Sequence, residues 1–89
     1  MTLEQANHVI RDDAAGLVEW AFAASEISSS PNSSLEDLLV CLRRGGPAAS
    51  YAATALYVRT KRLRKDDSVE SFSMDYQDWV GYLRAQKLI

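Results

Sequence analysis

The sequence has few of the residues from which metal and catalytic sites are usually built. Its 89 residues include one cysteine, Cys41, and one histidine, His8. A single cysteine cannot form a disulfide within the chain, and these two residues supply no metal-ligand set. Cys41 lies in an apolar helical pattern, so we expect a small buried hydrophobic side chain in a protein of a reducing compartment.

Signals for secretion or membrane insertion are also missing. Residues 1–13 contain acidic side chains and lack the basic n-region of a secretory signal. The longest nearly apolar run, residues 14–24, is interrupted by Glu19 and is shorter than the ~20 residues that a membrane-spanning helix needs. The sequence therefore predicts a soluble cytoplasmic protein with no membrane partner.

Motifs for catalysis or cofactor binding are absent as well. The serines cluster in a loop-like stretch, residues 28–33, without a general base in recognisable context. Gly45 and Gly46 are followed by a proline, not by the lysine of a phosphate-binding loop. The acidic pairs at 12–13 and 66–67 lack the alternating ligands and the glycine of a calcium loop. We therefore expect no enzyme activity, no cofactor and no metal site.

The composition that is present is that of a small folded protein. Hydrophobic residues make up 47% of the chain and charged residues 25%, which is typical of a globular domain. A chain of this length suffices for one hydrophobic core. The sequence predicts a single all-α domain over residues 1–89, a compact bundle of four helices, or five if the first is broken, with short connections.

The first helix is predicted to begin after Thr2, which forms a capping box with Gln5. We expect it to run, continuous or kinked, to about Ile27, and a second helix start near residues 12–16 is the alternative. An apolar row at helical spacing is expected to carry this segment across the core: Leu17, Val18, Ala21 and Phe22.

The most specific local signal is a corner between two further helices. Ser34 and Asp37 form a second capping box, so a helix is predicted to begin at Leu35. Gly45 suits the left-handed position that ends a helix, and Pro47 suits the first turn of the next one. One helix is expected to end and another to begin within a few residues.

The helix after this corner is rich in alanine, which lets a neighbouring helix approach closely, and it is predicted to end in a basic run near residue 65. Short-spaced leucines, a turn with proline and an alanine-rich helix make residues 35–60 resemble one unit of a HEAT-type helical hairpin. This resemblance implies two packed helices. The helix over 35–44 is expected to be the most buried in the molecule.

The last helix is predicted to be capped by Ser73 or Asp75. Residues 66–72 before it break the helical pattern and end in a short extended piece or a helical turn. We expect Trp79 to lie in the core, and Tyr82, which is off the apolar row, to be an exposed anchor for a partner.

Charge is segregated along the chain behind a net value of −2. Residues 1–42 carry −6, residues 43–65 carry +7 and residues 66–89 carry −3. We predict a non-enzymatic protein–protein interaction module, an adaptor, accessory or regulatory protein, that presents the positive block as a basic patch to an acidic partner. The predicted partner-binding residues are seven cations and one aromatic residue: Arg43, Arg44, Arg59, Lys61, Arg62, Arg64, Lys65 and Tyr82.

Two other partners fit the same positive block. It can neutralise nucleic-acid phosphates, and the hairpin over 35–63 imitates a helix-turn-helix in outline, so nucleic-acid binding is the alternative function. A sequence pI near 5.2 and the usual attraction of helix ends for cations disfavour it. Homo-oligomers are a further possibility, because the basic block of one copy can meet an acidic flank of another.

Overall fold

Five α-helices make up the fold of the computed structural model, which describes residues 1–62 and 73–89. The helices are α1 (Leu3–Arg11), α2 (Leu17–Ser29), α3 (Leu35–Arg44), α4 (Gly46–Thr60) and α5 (Tyr76–Ala85). The predicted all-α class is confirmed. The predicted break and turn over 66–72 lie outside the described residues.

The N-terminal segment forms two helices, so the continuous or kinked helix that we predicted is wrong and the alternative second start is right. The Asp12 carboxylate accepts a hydrogen bond from the Ala14 backbone N–H at 2.9 Å, and the Trp20 indole N–H donates to the Asp12 carbonyl at 3.0 Å. The Gly16 N–H donates to the Glu19 carboxylate at 3.3 Å at the start of α2. These contacts hold a turn between α1 and α2.

Both predicted capping boxes are present. The Thr2 hydroxyl accepts from the Gln5 N–H at 3.1 Å, and the Ser34 hydroxyl accepts from the Asp37 N–H at 3.1 Å. In each case the second side chain accepts a hydrogen bond from the backbone N–H of the cap. Gly45 separates α3 from α4 with φ of 70°, a conformation that glycine adopts without strain. The predicted corner is therefore confirmed.

The alanine-rich helix is shorter than predicted. α4 ends at Thr60, and Lys61 takes the left-handed conformation (φ 54°, ψ 32°) that turns the chain out of the helix. Lys61 and Arg62 therefore lie beyond the end of α4, and the rest of the basic run lies outside the described residues.

α3 and α4 share the centre of the core. α3 contributes four buried side chains among its 10 residues and α4 seven among its 15, so the prediction that α3 is the most buried helix is wrong and α4 has that position. Cys41 and Trp79 are fully buried, as expected. Burial raises the pKa of the Cys41 thiol to about 12. Within 1–62 and 73–89, no helix combines the length and apolar character needed to cross a membrane.

The apolar row of α2 lies on the outside, and this corrects the prediction that it crosses the core. Leu17, Val18 and Phe22 are 64%, 68% and 67% exposed, whereas the buried side chains of α2 are Ala23, Ala24 and Ile27. α2 is apolar on almost every side, so helical periodicity does not identify its inner face. The alanines of α4 favour small side chains opposite them, because these let two helices pack closely.

Candidate interaction surfaces

Arg44, from the predicted partner-binding set, connects α3 to the turn between α1 and α2. Its Nε donates to the Ile10 carbonyl at 2.7 Å, and its guanidinium pairs with the Asp13 carboxylate at 2.8 Å. The same guanidinium lies 4.4 Å from the centre of the Trp20 ring. These contacts direct Arg44 toward the fold itself.

Arg59 connects α4 to the loop between α2 and α3. Its guanidinium donates to the backbone carbonyls of Ser30 and Ser33 and to the Ser33 hydroxyl. Ser33 is buried, and its hydroxyl donates to the Ile27 carbonyl at 2.7 Å. The Ser30 carbonyl also accepts a hydrogen bond from the Ser33 hydroxyl at 3.0 Å. Arg59 therefore adds charged donors to a loop that is already held by its own hydrogen bonds.

Arg62 holds α5 and accounts for the position of Tyr82. It pairs with Asp78 at 2.8 Å, and its guanidinium lies 4.7 Å from the Trp79 ring centre and 4.6 Å from that of Tyr82. The hydrogen bond from Arg62 lowers the pKa of the Asp78 carboxyl. Tyr82 is half-buried and meets the Trp79 ring edge-on, with 5.7 Å between ring centres.

The other predicted partner-binding cations are either exposed or outside the described residues. Lys61 is exposed at the end of α4, and Arg43 is exposed on α3. Arg64 and Lys65 lie outside the described residues. The structure thus holds Arg44, Arg59 and Arg62 in contacts with three different parts of the fold.

Arg43 belongs to a groove of about 320 Å³ between α3 and α5, which we call the arginine groove. Two cations that the sequence analysis did not select, Arg11 and Arg84, also line it. Its apolar lining is Leu39, Val40, Tyr76, Val80 and Ile89. Glu36 is the acidic residue that lines it within the described part of the chain.

Arg11 differs from the other two cations of the arginine groove, Arg43 and Arg84, because an ion pair offsets its charge. Arg11 pairs with Asp37 at 3.0 Å. Burial raises the pKa of the Asp37 carboxyl, but hydrogen bonds from Ser34 and Arg11 outweigh this and hold it below its usual value. Asp37 therefore stays ionised and offsets the charge of Arg11. The positive character of the groove rests on Arg43, 5.1 Å from the Tyr76 ring centre, and on exposed Arg84.

A second surface, which was not predicted from the sequence, lies along α2 and α4. We call it the apolar face; its large residues are Leu17, Val18, Phe22, Pro47, Tyr51 and Val58. Small hydroxyl side chains lie among and beside them: Ser25, Ser28, Ser29, Ser50 and Thr54. Among the described residues that line it, Arg59 is the charged one, and its guanidinium is bound to Ser30 and Ser33 in the loop between α2 and α3. The signal in the sequence was the surplus of apolar residues in α2 beyond one inner face.

The described residues contain no group of three or more histidine, cysteine, aspartate or glutamate side chains placed to hold a metal ion. Comparisons of the chain with protein-family models, curated proteins and solved structures found no match.

Proposed function

We propose that the protein is a non-enzymatic interaction module of the cytoplasm that binds an acidic, partly apolar segment of a protein partner in the arginine groove. One observation carries this proposal. Arg43 and Arg84 are exposed beside an apolar lining in which Leu39 and Val80 are almost fully buried. Such a groove offers contacts to carboxylates at its edges and to apolar side chains along its floor.

The chemistry of arginine favours this class of partner. A guanidinium group donates two parallel hydrogen bonds to one carboxylate and keeps its charge at all physiological pH values. The proposal keeps the acidic partner that the positive block predicted, and it keeps Arg43 from the predicted binding residues. The other cations that line the groove are Arg11 and Arg84, which were not in the predicted set. Charge complementarity at such a groove favours fast and selective association.

The arginines directed into the fold have a supporting role in this proposal. Arg62 secures α5 through Asp78 and the Trp79 ring. Since α5 supplies Tyr76, Val80 and Arg84, the contact of Arg62 helps to maintain one wall of the arginine groove.

A selection from a displayed library of random peptides tests the proposal, because it identifies the preferred ligand directly. We expect the wild-type protein to enrich peptides in which Asp or Glu flanks Leu, Ile, Val or Phe. The Arg43→Glu/Arg84→Glu variant should lose this enrichment. Lys61→Glu/Lys87→Glu, which makes the same charge change at exposed residues outside the groove lining, should keep it.

Binding of a selected peptide should weaken as salt concentration rises, because partly exposed charges are screened. Selection without enrichment of acidic residues, or enrichment that survives Arg43→Glu/Arg84→Glu, would contradict the proposal. Titration with duplex DNA and an RNA hairpin at low and high salt separates the alternative. Salt-sensitive nucleic-acid binding together with an unproductive peptide selection would replace the acidic partner with a nucleic acid.

A further inference from the structure

The apolar face has the composition of an interface centre with a polar surround. Phe22 and Tyr51 are 67% and 47% exposed on adjacent helices, and Val58 is 71% exposed. Aromatic residues are enriched at the centres of protein interfaces, which are surrounded by polar residues. Here the serines and Thr54 supply such polar surroundings. Contiguous apolar patches of this kind commonly mark a contact with another macromolecule.

α2 and α4 run in the same direction across this face. Leu17 and Val18, at the start of α2, line a depression together with Pro47, at the start of α4. Ser28 and Ser29, at the end of α2, lie beside Val58 and Arg59 at the end of α4. Apart from Val58, the large apolar residues are therefore concentrated at one end, around Phe22 and Tyr51, and most of the hydroxyl groups lie toward the other.

We propose that the apolar face pairs with the same face of a second copy of this chain, in a two-fold symmetric dimer. In a two-fold symmetric dimer, residues at the axis meet their own copies and the two faces carry the same net charge, so a face with charges of mainly one sign opposes self-pairing. The described lining of this face avoids that repulsion, because Arg59 is held at its edge by Ser30 and Ser33. A two-fold axis near Phe22 brings the apolar ends of two copies together and leaves the hydroxyl groups at the rim.

The dimensions agree with a dimer interface. α2 and α4 have 13 and 15 residues and are therefore about 20 Å long at ~1.5 Å per residue. Two such helices side by side form a face about 20 Å wide. A standard interface buries about 800 Å² on each partner, which is roughly one-seventh of the 5661 Å² that this chain exposes. The outer side of α2 and α4, two of the five described helices, has an accessible area of about this size.

This inference does not depend on the proposed function, because the described linings of the apolar face and the arginine groove share no residue. Analytical ultracentrifugation of the full chain over a wide concentration range tests it. We expect a monomer–dimer equilibrium that persists at high salt, since apolar contacts are not screened by ions. Phe22→Glu should shift the midpoint at least tenfold toward the monomer. Leu88→Glu adds the same charge at an exposed apolar position outside the face and should leave the midpoint unchanged.

Nuclear magnetic resonance spectra of the amide groups during dilution locate the interface, and circular dichroism confirms that each variant remains helical. Shifts confined to α2 and α4 support the proposal. A wild-type chain that stays monomeric at every concentration would overturn it. A dimer that survives both Phe22→Glu and Val58→Glu, or shifts concentrated in α3 and α5, would do the same. The peptide selection on the monomeric Phe22→Glu variant still reports on the arginine groove by itself.

Discussion

The α2–α4 side and the α3–α5 side of the molecule use large and small residues in opposite ways. On the α2–α4 side, Ala23, Ala24 and the alanines of α4 are inside, while Leu17 and Phe22 face solvent. On the α3–α5 side, Trp79 and Leu83 are fully buried and the outer positions carry arginine. The identity of a buried residue thus depends on what the neighbouring helix offers, and apolar character alone does not place a residue inside.

The two surfaces therefore also differ in the interactions that they can make with a partner. Contacts at the apolar face gain from removal of apolar area from water, which salt does not screen. Contacts at the arginine groove gain from charge and weaken with ionic strength. The dimer proposed for the apolar face and the peptide binding proposed for the arginine groove should therefore respond differently to salt concentration.

The largest expected contrast is between two aromatic residues. Trp79→Ala should lower the free energy of unfolding by about 3–5 kcal/mol, because it empties a fully buried site between Tyr57 and Tyr82. Phe22→Ala on the exposed side should cost less than ~1 kcal/mol. Urea denaturation at low protein concentration, where a dimer has dissociated, measures both. Equal losses would show that the two sides do not differ in this way.

The close packing on the α2–α4 side is tested by adding volume. Ala52→Leu should destabilise the fold by about 1–3 kcal/mol, since Ala52 is fully buried and the added atoms need displaced neighbours. Ala85→Leu, the same change at an exposed position of α5, should change stability by no more than ~0.5 kcal/mol. Thermal unfolding of both variants provides the measurement. Tolerance of leucine at Ala52 would argue against close packing there.

On the α3–α5 side, Arg62→Met should cost about 1–2 kcal/mol. It removes an ion pair with Asp78 and stacking on the Trp79 and Tyr82 rings, while most of the aliphatic volume is kept. Chemical denaturation beside Lys61→Met, which removes an exposed cation, isolates the effect. If both variants lose the same stability, the contacts of Arg62 contribute nothing specific.

Acid provides the smallest and most specific test of this contact. Because the pKa of Asp78 is lowered in the folded state, its contribution is present above the pKa of an unfolded aspartate, about 3.9, and is lost as the pH falls below it. The wild-type protein should therefore lose stability in acid more steeply than Arg62→Met. Unfolding curves recorded from neutral pH to strongly acidic pH compare the slopes. Parallel pH profiles would contradict the role of Arg62 in lowering this pKa.

Local chemistry made part of the fold predictable from the sequence. The capping boxes at Thr2 and Ser34 and the turn at Gly45 each involve residues within a few positions of one another. The start of α2 was harder to predict, because the Trp20 indole secures the turn by reaching back to the Asp12 carbonyl. The outward row of α2 was not predictable from periodicity, since the helix is apolar on both sides.

The candidate surfaces were less predictable than the helices because they depend on distant pairs. Arg44 and Arg59 meet acceptors 34 and 26 residues away in the chain, which no local pattern reveals. The arginine groove likewise combines residues from α1, α3 and α5. Counting positive residues along the chain identified Arg43 but could not show which cations the fold would use internally.

Because α5 has fewer packing partners than α2 within the described part of the chain, we expect the arginine groove to be lost by local unfolding more easily than the apolar face. Among the described helices, α5 packs against α3, with Trp79 reaching the Tyr57 ring of α4, whereas α2 packs against α1, α3 and α4. Transient undocking of α5 would dismantle the arginine groove and leave the other side of the protein assembled. Faster amide hydrogen exchange in α5 than in α2 would be the sign of a groove that opens and closes independently of the remaining helices.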